Sequence, residues 1–493
     1  MKAKIQIYWM LAVGAFAVLG GAAVWMGGLN QDEGWYLYAA NLAAEGKMLY
    51  RDFFYTQGPK MPAFYKSFAW VWGTWGLLGA RIFTLTLGAA GILMAAGLAR
   101  HLAPEGRRSE AALMTFLLLG CNLYHLYYVA IPKTYALASM FVMIGFFLLA
   151  VGRNRNPIFA LGAGLALAYA AGTRISLGAL LCVAGFGLLR ARQWKALAWF
   201  CIGGFGGLAM TYGPYLWDAG ARAGLLAAQR YHAARGGFDL TWTVGSLSRL
   251  VRWYLPVFVV LGLGVFGGVK GTHETQGTQR TCLVLLWGFL AVFAVQMLAP
   301  FPYEDYQVPV MGLLTVYAVV AFTSSPIPRP SSLLLVLGLC FANSFGSPLL
   351  EKWSTNGQDR FWSIKKDAYE LPQLREAARR IEAADPGGKT LLTQDLYLAI
   401  ETGRKVPKGL EMGPFAMLSD ADWRRLLQET APATCSVAAL SGYSFAIEPP
   451  VCTERPLDRQ MEYWGLLKRN FGLIDRVEAF GQNATPLLIL KRK

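Results

Sequence analysis

Apolar stretches of roughly 17–22 residues recur along the first two thirds of this chain, and no other feature constrains its fold as strongly. The 493-residue sequence is 55% hydrophobic and only 15% charged, where a soluble domain carries about 25% charged residues. Such a chain reads as a polytopic α-helical membrane protein. In order, the apolar runs give about eleven spans, at 7–26, 82–98, 111–121, 135–151, 157–172, 175–189, 196–217, 253–269, 282–298, 308–323 and 331–345. The first run is longer than a secretory h-region and no small-residue cleavage site follows it, so it is expected to stay as a helix.

Loop charge sets the expected orientation. Basic loops at 1–4, 100–108, 153–155, 190–195, 270–280 and Arg329 alternate with loops that are aromatic or acidic. The basic set belongs in the cytoplasm, which puts the N-terminus inside and everything after about residue 346 outside. The net charge of +16 then reflects cytoplasmic loops and an affinity for anionic lipid, and nucleic acid is not an expected partner. Of seven cysteines, Cys121, Cys182, Cys201, Cys282 and Cys340 lie in apolar runs; Cys435 and Cys452 can pair if the tail is extracytoplasmic.

Two domains follow: 1–346, a membrane domain with a long first outer loop at 27–81, and 347–493, a small α/β extracytoplasmic domain. In the tail, helical spacing puts Leu371, Leu374, Ala378 and Ile381 on one face, and short apolar runs at 390–393, 437–440 and 486–490 read as strands. The segment 65–79 is aromatic and uncharged apart from Lys66, as expected of a helix lying on the membrane surface.

The chemistry-bearing residues gather in the outer loops. Asn30-Gln31-Asp32-Glu33-Gly34-Trp35-Tyr36 opens the first of them. A carboxylate at an interface is suited to removing a proton from an attacking hydroxyl or amine; locally, the same pair serves as a helix cap. The loop at 218–252 holds Arg222, Arg230, His232, Arg235, Arg249 and Arg252, more positive charge than an outer loop carries unless an anion is handled there.

The run from Asp32 to Lys60, with its Asp-Glu pair, its Ala39-Ala40 and Ala43-Ala44 helix and Gly58-Pro59-Lys60-Met61-Pro62, resembles the first periplasmic loop of the GT-C superfamily of polyprenyl-phosphate-dependent glycosyltransferases. The branch it is most similar to includes protein O-mannosyltransferases and the lipid A aminoarabinose transferase. The likeness covers the first hundred residues well and the whole topology loosely. It implies that Asp32 is the catalytic carboxylate with Glu33 beside it at the reaction centre. It also implies that Lys60 contacts the lipid phosphate, and that Arg230 or Arg235 supplies a second phosphate ligand. A phosphate leaving group accumulates negative charge that Lys and Arg neutralise, Arg by a bidentate fork. Headgroup contact is the competing role for each of these cations.

Other positions divide between function and structure. Arg174, after Gly172-Thr173, is either a functional intramembrane charge or a hairpin residue, and Arg81 reads as structural. Tyr124, His125, Tyr127 and Tyr128 suit either a sugar-stacking surface or an interfacial belt. Related transferases place an acid where this chain has Lys133, so that role is absent or passes to Glu304 and Asp305. Glu304 with Asp32 is a possible site for a divalent cation, the one cofactor these residues suggest.

The expected function is an inverting, multi-pass glycosyltransferase of the cell inner membrane. It moves a sugar from a polyprenyl-phosphate carrier to a glycan, lipid or protein acceptor at the outer face, among membrane lipids. The alternatives are a transporter or lipid flippase, which calls for polar residues near mid-membrane and broken helices in both halves, and an envelope-assembly scaffold in which Asp32 is dispensable.

Overall fold

The computed structural model describes residues 2–152, 156–234, 236–266, 276–299, 302–325, 335–340, 342–343, 370–416, 418–441, 457–482 and 484–493. The membrane part contains helices α1 (Lys2–Met26), α2 (Gln31–Ala44), α3 (Lys60–Tyr65), α4 (Ala69–Leu102), α5 (Arg108–Gly120), α6 (Leu123–Ala130), α7 (Thr134–Val151), α8 (Ile158–Thr173), α9 (Ala179–Arg190), α10 (Trp194–Trp217), α11 (Ala219–Ala233), α12 (Leu240–Trp253), α13 (Leu255–Phe266), α14 (Gln276–Met297) and α15 (Val308–Thr323). Among the described residues, 6 helices are long and apolar enough to cross a membrane, or up to 8 if each bent pair is one span. The protein is thus a multi-pass α-helical membrane protein with a small C-terminal sheet.

Ten of the expected spans fall on apolar helices, although α8 and α9 are short and the spans at 111–121 and 253–269 belong to pairs bent by 70° and 80°. The span expected at 331–345 lies partly outside the described residues. The last long helix, Glu304–Thr323, is the centre of the bundle: 83% of its apolar window is buried, against 22% for the first helix. A helix apolar all round has to be enclosed by other helices or by lipid.

The first outer loop is tightly folded. Chain 60–102 is continuous helix apart from the 3₁₀ turn Lys66–Phe68 and a break at Gly76, whose φ of 63° suits a residue without Cβ. The break divides a stretch with Trp70 and Trp75 exposed from the apolar helix that follows. The loop at 122–133 differs from both expectations. Its helix α6 buries Tyr124, His125, Tyr127 and Tyr128; Tyr124 stacks on Trp253 at 5.0 Å and His125 Nδ1 lies 2.9 Å from the Tyr254 hydroxyl. These aromatics are packing residues, neither a belt nor an open sugar platform.

The tail helix Glu370–Ala384 buries Leu371, Leu374, Ala378 and Ile381, the face expected from its spacing. Strands β1 (Leu391–Leu392), β2 (Val437–Ser441), β3 (Phe471–Phe480) and β4 (Thr485–Arg492) form one sheet in the order β1-β2-β4-β3, with β1 parallel to β2 and the other pairs antiparallel. Strand β3 escaped the sequence reading because Asp475, Arg476 and Glu478 interrupt its apolar alternation and register shifts break its ladder. Cys435 is a buried thiol, and Cys452 lies outside the described residues.

The tail is built onto the membrane domain through α2. Gln31 Nε2 donates to Asp395 Oδ1 at 2.6 Å and to the Tyr397 hydroxyl at 3.1 Å, the Leu29 amide donates to the Glu370 carboxylate, and Val406 N donates to the Tyr38 hydroxyl at 3.0 Å. Glu401 accepts from the Leu77 amide at 2.8 Å, just past the Gly76 break. Gly34 permits this docking, because a Cβ there would lie 2.4 Å from the Tyr397 amide nitrogen and 2.7 Å from the Leu396 carbonyl carbon. Gly34→Ala is therefore expected to loosen the tail at a cost of about 1–3 kcal/mol, seen as faster proteolysis of the tail in detergent; an unchanged digestion pattern would refute the close packing.

Candidate active site

Helix α2 presents two adjacent carboxylates and sends them in different directions. Asn30 caps the helix, its side-chain oxygen accepting from the Asp32 amide at 3.0 Å, while the Asn30 amide donates to Glu33 Oε1 at 2.9 Å, a capping box. Glu33 lies wholly inside the protein. Arg81 Nε donates to Glu33 Oε2 at 2.7 Å and Nη2 to Oε1 at 2.6 Å, with both side chains 0% exposed. The remaining guanidinium protons go to the carbonyls of Val24, Gly27 and Gly28. Glu33, expected beside Asp32 at the reaction centre, is instead the internal counterion of Arg81, and Arg81 has the structural place expected of it.

Asp32 faces the other way and keeps 26% of its side chain exposed. Trp35 Nε1 donates to its Oδ1 at 3.0 Å, and the Lys133 ammonium lies 2.8 Å from Oδ2. Burial pushes the Asp32 carboxyl up, but the neighbouring Lys133 charge and hydrogen bond more than offset this and hold it below its ordinary range. The helix N-terminus adds a favourable dipole. Asp32 is consequently an ionised carboxylate, engaged at both oxygens and still partly exposed.

Lys133 is the residue the sequence reading set aside. It follows Pro132 at the start of α7, is 6% exposed, and reaches Asp305 Oδ2 at 3.4 Å as well as Asp32. The Tyr135 hydroxyl donates to the same Asp305 oxygen at 2.7 Å. Asp305 thus enters the cluster from the entry to α15. Glu304 turns away to Arg249, 3.0 Å from its Oε2. Among the described residues no group of three His, Cys, Asp or Glu is arranged to hold a metal ion; Glu304 pairs with Arg249 and Asp32 with Lys133.

Arg174 borders this cluster and Lys60 lies on the turn packed against the end of α8, neither with a carboxylate ion-pair partner among the described residues. Lys60 Nζ sits 3.3 Å from the Tyr169 ring centroid. Arg174, at the end of α8, stands 5.0 Å and 4.5 Å from the ring centroids of Tyr135 and Tyr306 and donates to Thr134 Oγ1 at 3.2 Å. The two are brought near one another because the turn before Lys60 packs on the end of α8. A Cβ on Gly58 would lie 2.1 Å from the Gly172 carbonyl oxygen, and one on Gly172 would lie 3.3 Å from Lys60 Cβ. Arg174 was legible only as a charge in an apolar setting. Arg230 is exposed on α11, which packs on the first outer loop through a 2.7 Å contact of His232 Nε2 with the Thr56 carbonyl. Arg235 lies outside the described residues.

Apolar helices packed around the segment at 27–81, with a small α/β tail seated on it, make up the fold. Two solved structures share it: ArnT from Cupriavidus metallidurans bound to undecaprenyl phosphate, at TM-score 0.65 and 13% identity over 98% of both chains, and the apo oligosaccharyltransferase of Archaeoglobus fulgidus, at TM-score 0.50 and 10% identity over 94% of this chain and 73% of that one. No protein-family profile and no curated protein sequence matches the chain.

Proposed function

We propose that this protein is an integral-membrane glycosyltransferase that takes a sugar from a polyprenyl-phosphate donor and passes it, with inversion, to an acceptor at the outer face of the membrane. The observation that carries this reading is the ionised, partly exposed Asp32 with Arg174 close enough to act on its charge, and Lys60 on the turn packed against the end of α8, neither cation having a carboxylate ion-pair partner among the described residues. A base next to an anion-receptive rim is what displacement of a phosphate from an anomeric carbon requires. The undecaprenyl phosphate bound by the ArnT structure supports the donor class.

In the proposed reaction an acceptor hydroxyl or amine attacks the anomeric carbon from the side opposite the phosphate. The bond from that carbon to the acceptor forms, the carbon–oxygen bond to phosphate breaks, and the acceptor proton passes to the partly exposed Asp32 carboxylate. Lys60 and Arg174 neutralise the charge left on the polyprenyl phosphate. Glycans, lipids and proteins are all chemically able to supply the acceptor group.

The phosphate rim is tested with undecaprenyl phosphate itself. Lys60→Ala and Arg174→Ala are each expected to weaken its binding on the order of 10-fold, a loss of about 1.4 kcal/mol, with more lost in the double variant. Binding unchanged in both single variants would overturn the assignment of the phosphate to this rim.

A further inference from the structure

We propose that Lys133 is the resident cation of the reaction centre, its ammonium standing where a divalent ion would otherwise join Asp32 to Asp305, so that this site takes no divalent metal. The inference rests on the reading of Asp32 as the base. It goes beyond it by assigning Lys133 as a positioning residue and by fixing the site's metal requirement.

The geometry carries the argument. An ammonium offers three donors and no acceptor. Lys133 directs its charge at Asp32 Oδ2, 2.8 Å away, and at Asp305 Oδ2, 3.4 Å away, two carboxylates from opposite ends of the membrane domain. The rings of Tyr128 and Tyr135 flank it, with centroids at 5.7 and 5.0 Å. Its backbone is set by the turn at Ile131 and Pro132, where the Lys133 amide donates to the Ile131 carbonyl at 2.6 Å. The chain itself therefore delivers the positive charge to the junction of the two acids, and the charge cannot dissociate as a bound ion can.

The donor set also disfavours a metal. Hard divalent ions take about six or more oxygen ligands at close to 2.0–2.6 Å. Here one oxygen of each acid is already engaged: Trp35 Nε1 donates to Asp32 Oδ1, and the Tyr135 hydroxyl donates to Asp305 Oδ2. The two carboxylates next to these acids in sequence are held elsewhere, Glu304 by Arg249 and Glu33 by Arg81. A dication entering this junction would meet the fixed ammonium at contact range and be repelled. Replacing that ammonium by an acid removes the charge at contact range and adds a third carboxylate, with Arg174 left as the bordering cation.

Mn2+ binding to the full-length protein in lipid nanodiscs, followed by electron paramagnetic resonance, tests this without reference to sugar transfer. Wild type is expected to bind no Mn2+ that Asp32→Asn removes. Lys133→Asp, once shown to be monodisperse and folded, is expected to gain one Mn2+ site, and Lys133→Asp combined with Asp32→Asn is expected to lose it. A wild-type Mn2+ site abolished by Asp32→Asn would overturn the proposal. So would a folded Lys133→Asp variant that gains no site, since the two acids would then not converge on this point. Release of lipid phosphate from undecaprenyl-phosphate sugars by wild type tests the glycosyltransferase reading separately, so failure of one is distinguishable from failure of the other.

Discussion

Asp32→Asn is expected to lower sugar transfer by about 10²–10⁴-fold, the range for loss of a positioned general base, while leaving undecaprenyl phosphate binding within a few-fold of wild type. The asparagine keeps the size of the side chain and can still accept from Trp35 Nε1, the 3.0 Å contact of the native carboxylate, so the fold should survive. What it loses is the ability to take a proton and the charge that pairs with Lys133. The measurement is release of lipid phosphate from a series of undecaprenyl-phosphate sugars, with wild type and variant in the same nanodiscs. Turnover retained within about 10-fold of wild type would remove Asp32 from the chemistry, since even the low end of the general-base range exceeds that.

The pH profile of the wild-type reaction follows from the same surroundings. Although burial raises the Asp32 pKa, Lys133 brings it below its ordinary value of 3.8. A carboxylate with a depressed pKa stays ionised above that value and loses its charge only as pH falls through the depressed one. The acidic limb due to Asp32 should therefore lie below pH 3.8.

Glu33→Gln is expected to destabilise the protein by about 3–5 kcal/mol, the cost of leaving a buried charge without its partner, read as a fall in Tm by tryptophan fluorescence. Arg81 would retain its three carbonyl acceptors but lose its counterion in a place where both side chains are 0% exposed. The double variant Glu33→Leu with Arg81→Met removes both charges and is expected to recover part of the loss, because isolated buried charge is the larger penalty. It recovers only part, since the carbonyls of Val24, Gly27 and Gly28 lose their donor. This variant also separates structure from chemistry. If it folds and transfers sugar, Glu33 acts only through packing; a folded but inactive double variant would return Glu33 to the reaction centre.

The parts of this protein written locally were legible in its sequence. Spans declare themselves by length and apolarity, and the tail helix Glu370–Ala384 by its spacing. Asp32 stood out because a short motif and its place in an outer loop coincide. Pairings across long separations were not legible. Lys133 meets Asp305 across 172 residues and Gln31 meets Asp395 across 364, and no local pattern encodes which loops converge. Lys133 was set aside because an acid was sought at its position, whereas the structure brings the acid from Asp305 and uses the lysine to join it to Asp32. The tyrosines of α6 misled for a related reason: an aromatic cluster near an interface looks the same whether lipid, ligand or another helix covers it, and here they are buried within the protein.

Composition alone determined that the chain enters a membrane, because 55% hydrophobic residues gathered in long runs leave no other solvent for them. The sequence also determined that an acidic pair opens a helix after the first span. It could not determine which acid faces outward. Neighbouring side chains on an α-helix point about 100° apart, so Asp32 and Glu33 necessarily diverge, and either one could have faced the open side. The tertiary structure decided between them by bringing Arg81 beneath α2, where it claims Glu33 completely, and Lys133 beside it, where it holds Asp32 charged and still partly exposed.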